Sequence, residues 1–122
     1  MSKDLEIIKE LEKKIGERLD RRYSIDENEN IIILDLSGLK ISDILCLKDL
    51  KNLTELNLSN NQISNITSIK DLQNIKHLDL SNNKVYQLPI EIFDLKLDME
   101  WEYSGYGYLL LNGNPVERPQ VL

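Results

Sequence analysis

Between Leu53 and Asn83 the apolar positions keep a fixed rhythm. Leu53, Leu56, Leu58, Asn61, Ile63 and Ile66 are followed 22 residues later by Ile75, Leu78, Leu80, Asn83, Val85 and Leu88. The unit is apolar-x-x-Leu-x-Leu-x-x-Asn-x-apolar, and a period of that length marks stacked repeats, in which each unit buries its apolar edge only against its neighbours. A short stack of this kind needs closure at both ends.

Ahead of the repeats, Ser2 is placed to cap a helix whose apolar positions Leu5, Ile8, Leu11 and Ile15 recur at helical spacing. Gly16 is the candidate stop, although Leu19 continues the stripe, so the end is expected between Ile15 and Arg21. Tyr23 to Ile25, a turn over Asp26 to Asn30, and Ile31 to Leu36 read as strand, turn and strand. Helix and hairpin together form an amino-terminal cap. The first repeat starts at Ile31, with Leu34, Leu36, Ile41 and Ile44 in place, and departs from the pattern at Leu39, where asparagine is expected. Asn61, Asn83 and Asn114 hold that position later, and their amides suit backbone groups left over where each coil turns away from its strand. Leu47 and Leu50, then Ile69 and Leu72, predict short helical turns on the outer side; Pro89 suits the start of a third. From Leu97 the period becomes alternation, with Leu97, Met99, Trp101 and Tyr103 on one face. Ser104 to Gly107 supply a turn, and Tyr108 to Leu111 return as the fourth strand, with Leu109, Leu111, Asn114 and Val116 in repeat register. A nine-residue insertion thus interrupts the period, and is expected to form a β-hairpin cap.

LDLSGL, LNLSNNQI and LDLSNNKV resemble the leucine-rich repeat family. The resemblance implies an α/β fold: a short leucine-rich repeat solenoid of about four parallel strands, with a helical N-terminal cap and a β-hairpin C-terminal cap. Residues 1–122 read as one domain: cap 1–30, three repeats 31–95, and insertion, last strand and cap 96–122. YSIDENENIIILDL, LPIEIFDL, Trp101 and GYLLLNGNPVERP together resemble the N-terminal repeat domains of bacterial Roco-type multidomain signalling NTPases, across nearly the whole chain. That resemblance implies an interaction or regulatory region preceding a Ras-like GTPase. The chain departs from it at Glu117-Arg118-Pro119-Gln120, where the family often has a double proline and a Glu-Ile helix start. It also contains no Gly-x-x-x-x-Gly-Lys-Ser/Thr phosphate loop, so GTP binding is not carried over. The other reading of the chain is a free-standing adaptor of an enzyme such as a phosphatase.

The formal charge of −6 and pI near 4.8 argue against nucleic acid or an anionic membrane as partner. Cys46 stands alone and charges interrupt MSKDLEIIKE, so neither a disulfide nor a signal peptide is read, and a cytoplasmic location is expected. The sequons at Asn52, Asn57 and Asn65 are then by-products of an asparagine-rich repeat. Cys46 itself reads as a small packing residue.

Because successive side chains of a strand point to opposite faces, the concave columns follow from the repeat. One column is Ile33, Glu55, His77 and Tyr108; the next is Asp35, Asn57, Asp79 and Leu110; a third is Ser37, Ser59, Ser81 and Asn112. The first two are the candidate protein-binding residues, acidic on one side and apolar-aromatic at the carboxy-terminal end. They call for a basic or amphipathic protein or peptide. His77, Asp79, Glu55 and Asp35 alone combine acid-base and metal-ligand types, but an open sheet with one histidine offers no closed pocket. No catalytic residue, cofactor or metal is therefore expected. Trp101, Tyr103, Tyr106 and Tyr108 are either cap core or a docking face, and a monomer is the favoured state.

Overall fold

A computed structural model of the protein describes residues 2–95, 97, 99–100 and 109–116. The first element, α1 (Lys3–Ile15), begins and ends as its sequence dictates. Ser2 Oγ accepts from the Leu5 N–H at 3.2 Å, and Gly16, at φ 77°, closes the last turn by donating its N–H to the Glu12 carbonyl at 2.8 Å. Ile8 and Leu11 are buried under it, and Leu19 packs into the same core after the helix has stopped.

Among the described residues six strands follow: β1 (Tyr23–Ile25), β2 (Ile31–Asp35), β3 (Glu55–Asn57), β4 (His77–Asp79), β5 (Met99–Glu100) and β6 (Leu109–Leu110). They form one sheet in the order β1-β2-β3-β4-β6-β5. β1 pairs antiparallel with β2, as the cap hairpin predicts, and β2, β3, β4 and β6 run parallel. The register joins Leu34, Leu56, Leu78 and Leu109 across the strands. These leucines face 3-10 turns at Leu45–Asp49, Thr67–Asp71 and Ile90–Leu95, where Leu47, Leu50, Ile69 and Leu72 are buried, so the core is a slab between sheet and turns.

The C-terminal end departs from the expected hairpin. β5 and β6 pair parallel, Met99 against Leu109 and Glu100 against Leu110. The physical reason is that Leu109 and Leu111 complete the leucine core, which fixes the direction of β6 beside β4, and β5 joins the other edge of β6 running the same way. Of the expected strand from Leu97 to Tyr103, only Leu97 and β5 are described.

What joins one coil to the next is a set of backbone bonds repeated at each step. Leu36, Leu58 and Leu80 donate their N–H groups to the carbonyls of Asn57, Asp79 and Leu110 at 2.8, 2.8 and 3.0 Å. Two residues later Gly38, Asn60 and Asn82 donate to Ser59, Ser81 and Asn112 at 3.0, 2.9 and 2.8 Å. This corner needs left-handed backbone: φ is 68° at Gly38, 58° at Asn60 and 57° at Asn82, and asparagine is the side-chain-bearing residue that best tolerates it. At the equivalent Gly113, also left-handed, a Cβ would run into the Asn82 side chain and backbone, so glycine is required on both counts.

The ladder asparagines serve the coil before their own. Asn61 Nδ2 donates to the Leu36 carbonyl at 2.9 Å and Oδ1 accepts from the N–H groups of Leu39 and Ile41. Asn83 reaches the Leu58 carbonyl and the Ile63 N–H, and Asn114 the Leu80 carbonyl and the Val85 N–H, in the same way. This explains Leu39. An asparagine there would reach back toward β1, which is antiparallel and supplies no such coil, so an apolar side chain packed against the core is the better occupant.

The orphan acceptors of the first coil go instead to Arg22, whose Nη1 donates to the carbonyls of Asp35 and Ser37 at 3.4 and 3.1 Å. Asp4, buried, accepts the Ile31 N–H at 2.8 Å and pins α1 to the head of β2. Asp26 closes the hairpin turn by accepting from the N–H groups of Asn28 and Asn30 and from Asn30 Nδ2. The Asn30 N–H is the largest cause holding the Asp26 carboxyl below its usual range.

Asn83→Ala should cost about 2 kcal/mol or more in urea denaturation, since it strands buried backbone groups of two coils. Leu39→Asn, which restores the repeat consensus, should give no stabilisation in the same measurement. For Asp26, a lowered folded-state pKa means that stability is present above the ordinary value of 3.8 and is lost as pH falls below it. The stability difference between wild type and Asp26→Ala should therefore close as the solution is acidified through that range.

Candidate protein-binding face

The parallel register aligns the concave residues into two columns. Ile33, Glu55 and His77 stand side by side on β2, β3 and β4, and Asp35, Asn57 and Asp79 form the next column, extended by Leu110 on β6. Between them lies a shallow depression of about 260 Å³, lined by all seven. Ile33 and Glu55 are exposed, while His77, Asp35, Asn57 and Asp79 are half-buried.

The second column has a structural duty that periodicity does not reveal. Asp35 Oδ1 accepts from the Ser37 N–H and hydroxyl at 2.9 and 2.6 Å, and Asp79 Oδ1 takes the same two bonds from Ser81 at the same distances. Asn57 Oδ1 accepts from the Ser59 N–H at 2.9 Å. Each is an Asx turn that starts the corner after its strand. One oxygen of each residue is thereby fixed, and the rest of the head group is held in a single orientation over the face.

Arg22 closes the amino-terminal end of the column, its Nη1 lying 3.8 Å from Asp35 Oδ1. The carboxylates of Glu55 and Asp79 are left as the centre of negative charge.

Two expectations change. Ser59 and Ser81, placed in a third exposed column, are buried, because their carbonyls accept from the N–H groups of Gly38 and Asn60 one coil back and the Ser81 hydroxyl turns to Asp79. Leu110 borders the depression but is only 4% exposed, and it lies outside the main core cluster. Flanked by β4 on one side and β5 on the other, it is no open contact point for a ligand. Tyr108, with Trp101, Tyr103 and Tyr106, lies outside the described residues.

Among the described residues no group of three or more histidine, cysteine or acidic side chains could hold a metal ion. No described helix is long and apolar enough to cross a membrane. Cys46 is half-buried against the core, and burial pushes its thiol pKa up, which favours the unreactive protonated form.

A second groove, of about 690 Å³, runs beside the depression and was missed in the sequence. Its lining includes the column Ile32, Thr54 and Lys76, each one residue ahead of Ile33, Glu55 and His77. The 22-residue register carries that signal, but Ile32 lies inside β2 while Thr54 and Lys76 precede β3 and β4, so alternation gives the column no common facing.

The Asx turns separate charge from fold. Asp79→Asn should keep the turn, because Asn57 already performs it one coil away, and should leave the urea midpoint nearly unchanged. Asp79→Ala should lose about 1–2 kcal/mol in the same assay, having removed a charged acceptor from two donors.

The family described as Leucine Rich repeats (2 copies) matches residues 51–94. No curated protein matches the chain significantly. Among solved structures, an internalin C2 from Listeria monocytogenes is 32% identical with a TM-score of 0.60; the match covers 72% of this chain and 35% of that one. The chain thus spans about a third of the length of that protein. Repeat spacing, coil register and this likeness together show the fold of a short leucine-rich repeat solenoid.

Proposed function

We propose that the chain is a non-catalytic protein-interaction module that takes a basic or amphipathic peptide segment along its concave parallel sheet. Leucine-rich repeat domains generally mediate protein–protein interaction. The observation that carries the reading here is the fixed acidic column: Asp35 and Asp79 are held by Asx turns, with Glu55 exposed beside them and Ile33 exposed at the amino-terminal end. Head groups already immobilised lose little entropy when a partner arrives, and their shared sign favours a basic one. Cytoplasmic signalling or regulation, in a protein of Roco type, is the context we propose from the resemblance of its motifs.

Selection from a random peptide display library tests the reading. Wild type should enrich lysine- and arginine-bearing peptides, and the Ile33→Lys/Glu55→Lys double variant, altered only at exposed positions without a turn role, should bind them at least tenfold more weakly. Enriched peptides that are acidic, or that bind the double variant equally well, would remove the concave face from consideration.

A further inference from the structure

The depression and the groove beside it are parallel tracks. Both cross the coils at right angles to the strands, and His77 lines both. Their chemistry differs. The concave track carries Asp35, Glu55 and Asp79, whereas the groove has an apolar floor of Ile32, Ile75, Leu95 and Leu97 between polar walls. On those walls Lys76 offsets Asp26, and Asn52, Asn74 and Thr54 are neutral. An acidic strip therefore lies alongside an apolar one that is neutral on balance.

Resting on the concave-face reading above, we infer that the partner segment is a single amphipathic α-helix lying along the coil axis. Its basic stripe covers Glu55 and Asp79, and its adjacent apolar stripe reaches the groove floor at Ile32 and Leu97. His77 lines both tracks, so they open side by side along one flank of the sheet. A helix about 10 Å across spans both tracks at once, while an extended strand covers one. Three open strands at about 4.8 Å spacing give a seat of about 10 Å, the length of roughly seven helical residues. Continuity of the two tracks through His77 and the complementary charge of the first select this occupant over a purely basic or purely apolar one.

The test uses three synthetic peptides, with binding to the full chain followed by fluorescence anisotropy. One is a sixteen-residue helix with lysines at i, i+4, i+7 and i+11 and leucines on the neighbouring stripe; the second has the same composition scrambled; the third keeps the lysines and replaces the leucines with glutamine. The amphipathic helix should bind at least tenfold more tightly than either control. Ile32→Thr should weaken it about fivefold and leave the leucine-free peptide unchanged. That substitution is tolerated by the coil, since Thr54 occupies the equivalent place one repeat on. Equal binding of the helix and its scramble overturns the inference. If Ile32→Thr has no effect while Glu55→Lys still weakens binding, the groove is not occupied and the concave-face reading stands. If neither substitution matters, both fall.

Discussion

Each coil of this protein leaves backbone donors and acceptors that only its neighbour satisfies, and the rest of the structure is arranged around that dependence. The Leu36, Leu58 and Leu80 N–H groups have carbonyl partners one coil on, and the ladder asparagines send both ends of their amides one coil back. A buried polar group without a partner costs about 1–3 kcal/mol, so a stack with an unserved end would lose much of what its leucine core contributes. The amino-terminal cap is built against that loss. Arg22 takes the carbonyls of Asp35 and Ser37, and Asp4 takes the Ile31 N–H, so the helix and hairpin supply side-chain substitutes for a missing coil as well as apolar cover.

The same requirement sets where a binding function has room. Asp35, Asn57 and Asp79 face the concave side, but each starts a coil corner with one oxygen. They are tethered recognition groups, limited in identity to residues that make an Asx turn. Ile33 and Glu55 carry no such obligation and are exposed. Variation in partner preference is therefore expected to fall on the Ile33 column, and conservation of chemistry on the Asp35 column.

Periodicity was enough to read the stack. The parallel strands, the outer 3-10 turns, the helix cap at Ser2 and Gly16 and the role of Asn61 and Asn83 all follow from local spacing, because in a solenoid most contacts are between neighbouring repeats. The features that were not legible depend on pairing between distant residues. Alternation from Leu97 marks a strand without saying which edge it joins, and β5 runs parallel to β6. Alternation likewise sets Leu110 on the concave side without revealing that it is covered, and nothing in the spacing of Arg22 or Asp4 tells that they serve β2. The groove along Ile32, Thr54 and Lys76 escaped because its column runs from inside β2 to the residues just ahead of β3 and β4, so no single period describes it.

Repetition also separates fold from function within one molecule. At each coil position the backbone geometry is nearly constant while the side chain varies, so a neighbouring coil reports what the frame accepts. Asn57 shows that the Asx turn does not need a negative charge, Thr54 that the edge column does not need an apolar residue, and Leu39 that the ladder needs no asparagine where no coil precedes it. The negative charge at Asp79 and the isoleucine at Ile32 therefore exceed what the fold demands at those positions. Surplus of that kind, concentrated on two adjacent tracks, is what distinguishes a recognition surface from the soluble exterior of a stack.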